Sequence, residues 1–364
     1  MATLWRASAR RRVRQTTVIG ERLALPQISP PQASQLASGR VRAQLRAMLR
    51  ALSAAARRAR GFSTFASVDG VAADATKISC SVWDTTFQRG DGVFEVVRVV
   101  GDRNGSPVPR AVHLHLDRLE RSAAAIQLPL PPRADVERIL RDAAAGGGHG
   151  GMVRLMVTRG GGSPGYGDHL GAALDAPPTT FALWQPTTSH DSRTLFPLVA
   201  PWHPAGFEPE RWATIKWLAY GANVHSKRLA AAAGFDDAVL LGRGWGADDA
   251  GPLEDKVVLD GPNFAVLWLK GGVVHAPSWR ELGMLESVTS ALALEAAAAA
   301  GYEVNEGVHR LSSLLDADEA YVLSTSSDLT PVTKVGDEAL LSAADSEHRV
   351  RLLAGIDARL ATFE

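Results

Sequence analysis

The chain has a single cysteine, few lysines and no long apolar run. Its 364 residues include one cysteine, Cys80, which excludes an intrachain disulfide framework and a cysteine-cluster metal site. No apolar run reaches the roughly 18 residues that a membrane-spanning helix needs. Lysine is scarce, since only six of the 39 basic residues are lysines. With 46% hydrophobic and 21% charged residues, the composition is otherwise that of an ordinary globular protein.

The first 60 residues lack acids. They contain 13 arginines and no lysine, and Glu21 is their only acid, so they carry a net charge of +12 in a chain of net charge zero. An acid-poor leader that is rich in arginine, alanine and serine is typical of organelle transit peptides. We therefore expect residues 1–35 to be a transit or disordered leader that directs the protein to a plastid or mitochondrion. Without such a signal, the protein would be cytoplasmic.

Two other interpretations of this basic segment stay open. Val41, Leu45 and Met48 recur at helical spacing, which predicts a basic helix over 36–61 that precedes the fold or docks on it. The basic run could instead bind nucleic acid. The rest of the chain carries the compensating negative charge. For that part we expect no nucleic-acid partner and no membrane association.

From residue 62 the sequence alternates short β-rich segments with turns, and helical patterns lie between them. The pattern predicts an α/β (α+β) fold of two domains, a small one over 62–190 and a larger one over 205–364, joined by a linker over 191–204. The small domain should open with a strand, a turn at Asp69-Gly70 and a returning strand over 78–83.

One lysine differs from the other five. Lys216 lies between Ile215 and Trp217, and these apolar neighbours favour desolvation of its ammonium group. Desolvation lowers the pKa of a lysine and frees the amine to act as a nucleophile. A lysine that extends from a strand edge into solvent is the alternative.

Three segments have the chemistry to hold a phosphate. The run 324–327 (STSS) offers hydroxyls and main-chain N–H groups at the end of a predicted strand. Gly283-Met284-Leu285 precedes an alanine-rich helix, predicted over 285–300, and a helix N-terminus favours anions. Arg118 can supply positive charge. Taken singly, these segments are better explained as an ordinary Ser/Thr turn, a plain helix entry and a surface arginine.

Between about residue 62 and residue 335 the sequence resembles the fold-type IV family of pyridoxal-phosphate enzymes. This family includes branched-chain and D-amino-acid aminotransferases and 4-amino-4-deoxychorismate lyase. The resemblance implies a small N-terminal α/β domain, a larger C-terminal pseudo-barrel domain, pyridoxal 5'-phosphate as cofactor and a homodimer. The segments that carry it, in chain order, are 89–95 (RGDGVFE), 115–119 (HLDRL), 157–160 (VTRG), 214–216 (TIK), 260–263 (DGPN), 317–319 (ADE) and 324–325 (ST).

The sequence contains no zinc or calcium spacing, so no metal site is expected. The resemblance also implies roles for single residues. Lys216 would form the Schiff base with the cofactor and move the proton at the substrate Cα. Asp260 stands where the family usually has glutamate facing the pyridine nitrogen. The residues that match the phosphate site are Arg118, Met284, Leu285, Thr325 and Ser326, and those that match the substrate pocket are Phe94, Arg154, Arg159 and Tyr166.

One departure from the family pattern concerns the phosphate site. Where the family usually has Gly-Ile-Thr-Arg, this chain has Gly283-Met284-Leu285-Glu286, so a hydroxyl is missing and a negative charge stands nearby. The main functional expectation is an aminotransferase that passes an amino group from an amino acid to a 2-oxo acid. The alternatives are aminodeoxychorismate lyase, which releases pyruvate and 4-aminobenzoate, and a family member that has lost catalysis.

Overall fold

The computed structural model describes residues 65–160, 177–200, 214–242 and 251–363. These residues lie within one unit that spans 63–364. Their strands form two sheets, of six and nine strands. The leader and the basic helix expected over 1–61 lie outside the described residues.

The first sheet is antiparallel throughout, in the order β2-β1-β6-β5-β3-β4. Its strands are β1 (Ala66–Val68), β2 (Val71–Ala73), β3 (Gly92–Gly101), β4 (Pro107–Pro109), β5 (Gly151–Thr158) and β6 (Thr179–Pro186). The accompanying helices are α1 (Thr85–Arg89), α2 (Val112–Ala125) and α3 (Arg133–Gly147).

The two faces of this sheet differ because side chains alternate along β3 and β5. One face is covered by α2 and α3, and its apolar residues are fully buried. Across the strands, Phe94 lies opposite Met156, and Val96 lies opposite Arg154. These four residues share the other face, which contributes to the site described below.

The turn at Asp69-Gly70 is confirmed, whereas the returning strand predicted over 78–83 is wrong. Asp69 and Gly70 both have positive φ, 50° and 81°, as a two-residue hairpin turn requires. So short a turn pairs Val68 directly with Val71, and β2 follows at once. The segment 78–83 forms no strand, and Trp83 at its end is 40% exposed.

The second sheet has the order β12-β11-β10-β13-β14-β7-β8-β9, and β15 pairs with β14. Its strands are β7 (Arg193–Val199), β8 (Asp237–Gly242), β9 (Val257–Val258), β10 (Ala265–Lys270), β11 (Val273–Pro277), β12 (Glu303–Gly307), β13 (Glu319–Ser324), β14 (Asp328–Val335) and β15 (Glu338–Ala339). The helices are α4 (Gly221–Ala232), α5 (Trp279–Leu282), α6 (Val288–Ala299), α7 (Leu311–Leu315) and α8 (Glu347–Leu360).

The expected linker over 191–204 contains β7, which pairs with β8 and β14. The alanine-rich helix begins at Val288 rather than at 285, because the Ser287 side chain accepts a hydrogen bond from the Ser290 N–H and caps the helix. Residues 284–287 are thereby left as a short extended entry to α6. Among the described residues, no helix is long and apolar enough to cross a membrane, and no cluster of His, Cys, Asp or Glu could hold a metal.

Candidate active site

Backbone hydrogen bonds fix Lys216 beside the start of β3. The Lys216 N–H donates to Ser122 Oγ on α2 at 3.1 Å, and the Lys216 carbonyl accepts from the Phe94 N–H at 3.0 Å. Leu218 N–H donates to the Gly92 carbonyl at 2.8 Å, and Trp217 forms a β-bridge with Val93. The segment therefore lies against the first sheet, although in the chain it stands between β7 and β8 of the second sheet.

The Lys216 ammonium group lies 4.7 Å from the centre of the Phe94 ring. Burial lowers the pKa of Lys216 to about 8, and the positive charges of Arg118 and Arg154 add to this effect. The negative charges of Glu95 and Asp260 act in the opposite direction. A lysine with this pKa has a substantial neutral fraction near pH 8, whereas an ordinary lysine has almost none.

Phe94 also contacts Arg154 and Tyr220. The guanidinium carbon of Arg154 lies 4.9 Å from the centre of the Phe94 ring, and the Tyr220 ring meets that ring edge-on at 5.5 Å. Burial lowers the pKa of Arg154, and no hydrogen-bond acceptor contacts its guanidinium in the described part of the chain. Arg154 is therefore a desolvated cation, placed next to Lys216 and available to an anion.

Asp260 follows β9, and its main chain is held by a hydrogen bond from the Leu240 N–H to its carbonyl at 2.8 Å. Burial raises the pKa of Asp260 to about 7 against the opposing effect of Lys216. Among the described residues, no side chain donates a hydrogen bond to this carboxylate. A carboxylate in this state fits a cationic or N–H partner such as a protonated pyridine nitrogen.

The sequence prediction missed Tyr220 as a site residue. Its hydroxyl donates to the Pro262 carbonyl, which also accepts from Asn223 Nδ2 at 2.7 Å. Burial raises the pKa of Tyr220, and the charge of Asp260 raises it further. The signal in the sequence was its position four residues after Lys216, at the entry to α4.

Arg118, a predicted phosphate ligand, belongs to a fully buried cluster with Glu95 and His115. Its Nε and Nη2 donate to the two carboxylate oxygens of Glu95, each at 2.7 Å. His115 Nδ1 lies 2.8 Å from the same carboxylate. Burial alone would raise the pKa of Glu95, but the charge of Arg118 and these hydrogen bonds hold it well below its usual range. Burial lowers the pKa of His115, so Arg118 carries the positive charge of the cluster.

The predicted phosphate-binding segments occupy two places. Met284 and Leu285 line a cavity together with Asp260 and with Ser287, the cap of α6. Thr325 and Ser326 lie in the turn between β13 and β14, where Ser324 Oγ is 2.9 Å from Ser326 Oγ. The entry to α6 and Asp260 therefore line the same cavity.

Arg159 occupies a different environment from the predicted substrate pocket. Its Nε and Nη2 donate to the Asp91 carboxylate at 2.5 and 3.0 Å, and its guanidinium also donates to the carbonyls of Ile126 and Gln127. These bonds use most of the donors that a substrate carboxylate would need. In this structure Arg159 therefore fastens the end of β5 to the segment before β3. Tyr166, the other predicted pocket residue, lies outside the described residues.

Comparison with known families decides the class of the protein. The family model of amino-transferase class IV matches residues 92–335, two thirds of the chain. The chain belongs to the class IV aminotransferases. This confirms the predicted family and fold, and with them a pyridoxal-phosphate-dependent transaminase as the activity.

Individual relatives of this aminotransferase carry different substrate names. A putative branched-chain-amino-acid aminotransferase of Methanocaldococcus jannaschii is 27% identical over 74% of this chain and 86% of the relative. A D-alanine aminotransferase of Listeria monocytogenes is 29% identical over 69% of the chain and 81% of the relative. An aminodeoxychorismate lyase of Bacillus subtilis is 35% identical over 22% of the chain and 28% of the relative.

The fold is shared with solved transaminase structures. The fold IV-transaminase from Curtobacterium pusillum superposes with a TM-score of 0.66 at 24% identity, over 81% of this chain and 99% of that one. At this identity the likeness concerns the fold alone.

Proposed function

We propose that Lys216 is the lysine through which this aminotransferase binds its cofactor and moves the proton at the substrate Cα. The observation that carries the proposal is the desolvated Lys216 ammonium group, with a pKa of about 8, held against Phe94 by main-chain bonds to two elements. Both roles need a neutral amine at moderate pH.

Bound pyridoxal phosphate supplies an electron sink that stabilises negative charge at the substrate Cα. The residues available to hold it fit its chemistry. Asp260 offers a carboxylate without a side-chain donor for the pyridine nitrogen. For the phosphate, the chain offers the Leu285 N–H, the hydroxyls of Thr325 and Ser326, and the Arg118 N–H hydrogens that bond neither Glu95 nor Glu286. The Met284 N–H is already bonded to the Trp279 carbonyl at 2.9 Å.

For the substrate we propose that Arg154 binds a carboxylate of the amino acid or 2-oxo acid. Arg154 shares the Phe94 ring with Lys216, so a carboxylate held there lies near the reacting amine. A desolvated guanidinium binds a carboxylate strongly, because the paired ions replace the lost hydration. Arg154→Lys should raise the KM for the amino acid more than it lowers kcat.

The first experiment traps the lysine chemically. The purified protein is saturated with pyridoxal phosphate and reduced with borohydride, and its peptides are mapped by mass spectrometry. We expect a pyridoxyl adduct on Lys216 and none in the Lys216→Arg variant, while Lys77→Arg, a change at an exposed lysine, keeps the adduct. An adduct on another lysine, or none, contradicts the assignment.

The lyase is the second candidate, and the short match to the Bacillus subtilis lyase favours it. Both reactions begin on the same lysine, so only the products separate them. The purified enzyme is given aminodeoxychorismate in one assay, and leucine or D-alanine with 2-oxoglutarate in another. Release of pyruvate and 4-aminobenzoate supports the lyase, and formation of glutamate supports the aminotransferase.

We also propose that the protein is a homodimer. Trp83, shortly before α1, is 40% exposed, and Phe87, within α1, is 69% exposed. An apolar surface of this kind is typical of an interface between subunits. Light scattering after size exclusion should give twice the monomer mass, and Phe87→Glu should shift the protein towards monomer.

For the leader we propose that residues 1–35 direct import into an organelle. The support is the charge pattern, together with a relative from Arabidopsis thaliana named as chloroplastic that is 25% identical over 74% of this chain. A fusion of these residues to a fluorescent protein should enter plastids or mitochondria. The same fusion with its arginines changed to glutamines should stay in the cytosol.

A further inference from the structure

Glu286 stands at the entry to α6, next to the main chain proposed to hold the cofactor phosphate. Its carboxylate pairs with Arg121 on α2, where Arg121 Nη2 lies 2.5 Å from Glu286 Oε2. The Arg121 side chain is 58% exposed, and the Glu286 side chain is 30% exposed. The negative charge that the sequence places beside the phosphate site is therefore paired with a neighbouring helix.

A second arginine of α2 holds the same residue by its main chain. Arg118 Nη1 donates to the Glu286 carbonyl at 2.6 Å, while its Nε and Nη2 are bound to Glu95. Arg118 and Arg121 are three residues apart and lie on the same side of α2. Glu286 is thus held at two points, its carbonyl by Arg118 and its carboxylate by Arg121.

With Glu286 held at these two points, main-chain N–H groups at the entry to α6 stay available to a ligand. In the described part of the chain, the N–H groups of Leu285 and Glu286 have no hydrogen-bond acceptor in the main chain or in a side chain. Leu285 and Ser287 line the cavity that also contains Asp260. The first N–H groups of α6 and its dipole favour an anion in the same region.

The charges of the two ion pairs that hold the entry sum to zero without a ligand. Glu95 and Glu286 carry two negative charges, and Arg118 and Arg121 carry two positive ones. A phosphate monoester adds a charge of about −1.5 to −2. If Arg121 were absent, Glu286 would keep an uncompensated negative charge beside the phosphate and would repel it.

We propose that Arg121 is a positioning residue for cofactor binding, which directs the Glu286 carboxylate away from the anion site and neutralises it. The inference rests on the proposed function, since it takes the α6 entry as the phosphate site. It explains how this chain can bind the cofactor although glutamate replaces the usual arginine. Arg121 acts through Glu286 and need not touch the phosphate.

The test is a double-mutant cycle on cofactor affinity. Pyridoxal phosphate is titrated into apoprotein of the wild type, Arg121→Ala, Glu286→Gln and the double variant, and binding is followed by absorbance. We expect the Kd to rise about tenfold in Arg121→Ala, as an uncompensated charge near a dianion produces in a partly solvated site. Glu286→Gln should bind as well as the wild type, and adding it to Arg121→Ala should restore the affinity.

Two controls make the cycle specific. Arg138→Ala removes an arginine of similar exposure that pairs with Asp135 and Asp142 on α3, and it should leave the Kd unchanged. The affinity lost in Arg121→Ala should shrink at high salt, because screening weakens charge repulsion. Thermal unfolding of the four apoproteins should be nearly the same, which separates the effect from a general loss of structure.

Several outcomes would overturn the inference. An unchanged Kd in Arg121→Ala would show that Glu286 does not act on the ligand. A Kd that stays raised in the double variant would mean that Arg121 contacts the phosphate or supports the fold. These results leave the proposed function intact if the wild type binds pyridoxal phosphate and gives the Lys216 adduct. Absence of binding by the wild type would overturn both proposals.

Discussion

Two groups of ionisable side chains lie near each other in this aminotransferase, and they differ in how their charges are paired. Glu95, His115 and Arg118 are buried, and the Glu95 carboxylate is bonded to both of the others at 2.7–2.8 Å. Lys216, Asp260 and Arg154 are also desolvated, yet the pKa of each is shifted towards its neutral form. We infer that the first group is a fixed support, whereas the second is arranged for a ligand that brings the missing charges.

The largest effect is expected from Lys216→Ala, which removes the amine of the second group. If Lys216 carries the proton at the substrate Cα, amino transfer should fall by at least about 10²–10⁴-fold, the usual contribution of a positioned acid or base. The rate is measured with 2-oxoglutarate as acceptor. Lys77→Ala, at an exposed lysine, is the control and should keep full activity. Retention of most activity by Lys216→Ala would remove Lys216 from the mechanism.

The next largest effect is on stability, and it is expected in the buried group of Glu95, His115 and Arg118. Glu95→Gln should lower the free energy of unfolding of the apoprotein by about 3–5 kcal/mol, because it leaves the buried Arg118 charge without a counterion. Urea unfolding measures this loss. Asp260→Asn is the matched variant, and it should leave stability near neutral pH unchanged or higher, since the Asp260 carboxylate has no side-chain donor to lose. Equal losses in the two variants would contradict the distinction between the groups.

Asp260 should also give the apoprotein a pH dependence. Burial raises the pKa of Asp260 to about 7, whereas the pKa of an aspartate in the unfolded chain is about 3.8. Between these two pH values the folded state holds a proton that the unfolded state has lost. The contribution of Asp260 to stability is therefore present below about pH 4 and is lost as the pH rises to about 7. Urea unfolding across this range should show the loss in the wild type and a smaller one in Asp260→Asn. A slope that is the same in both would assign the effect to other groups.

Part of the fold and of the site could be predicted from the sequence, because local patterns indicate strands and single reactive residues. The residues of β3 and β5 form mainly apolar runs that indicate strands, and Lys216 is a rare lysine among apolar neighbours. The partners of the charged side chains were not visible. Arg118 meets Glu95 from another element, and the bonds of Arg159 to Asp91 depend on how β5 lies beside β3.

The exact start of a helix and the position of a returning strand were also beyond the pattern. The start of α6 was predicted three residues early, at 285, because the pattern did not single out Ser287 as the cap of the helix. The strand predicted over 78–83 had the right composition, but the tight turn at Asp69-Gly70 had already paired β1 with β2. In both cases a local hydrogen bond or turn geometry overrode a pattern of hydrophobicity.

The smallest effect is expected at the ion pair of Arg98 and Asp328, which joins β3 to the turn that carries Thr325 and Ser326. Both side chains are partly exposed, at 30% and 24%, so the pair should contribute at most about 1 kcal/mol to stability. Asp328 has a φ of 43°, which asparagine also adopts readily, so Asp328→Asn removes the charge and keeps the turn. We expect a small change in unfolding but a few-fold weaker binding of pyridoxal phosphate, because the turn loses its attachment to the first sheet. Asp337→Asn, at a fully exposed turn residue paired with Lys334, is the control. If Asp328→Asn alters stability and leaves cofactor affinity unchanged, the pair belongs with the fixed support rather than with the ligand site.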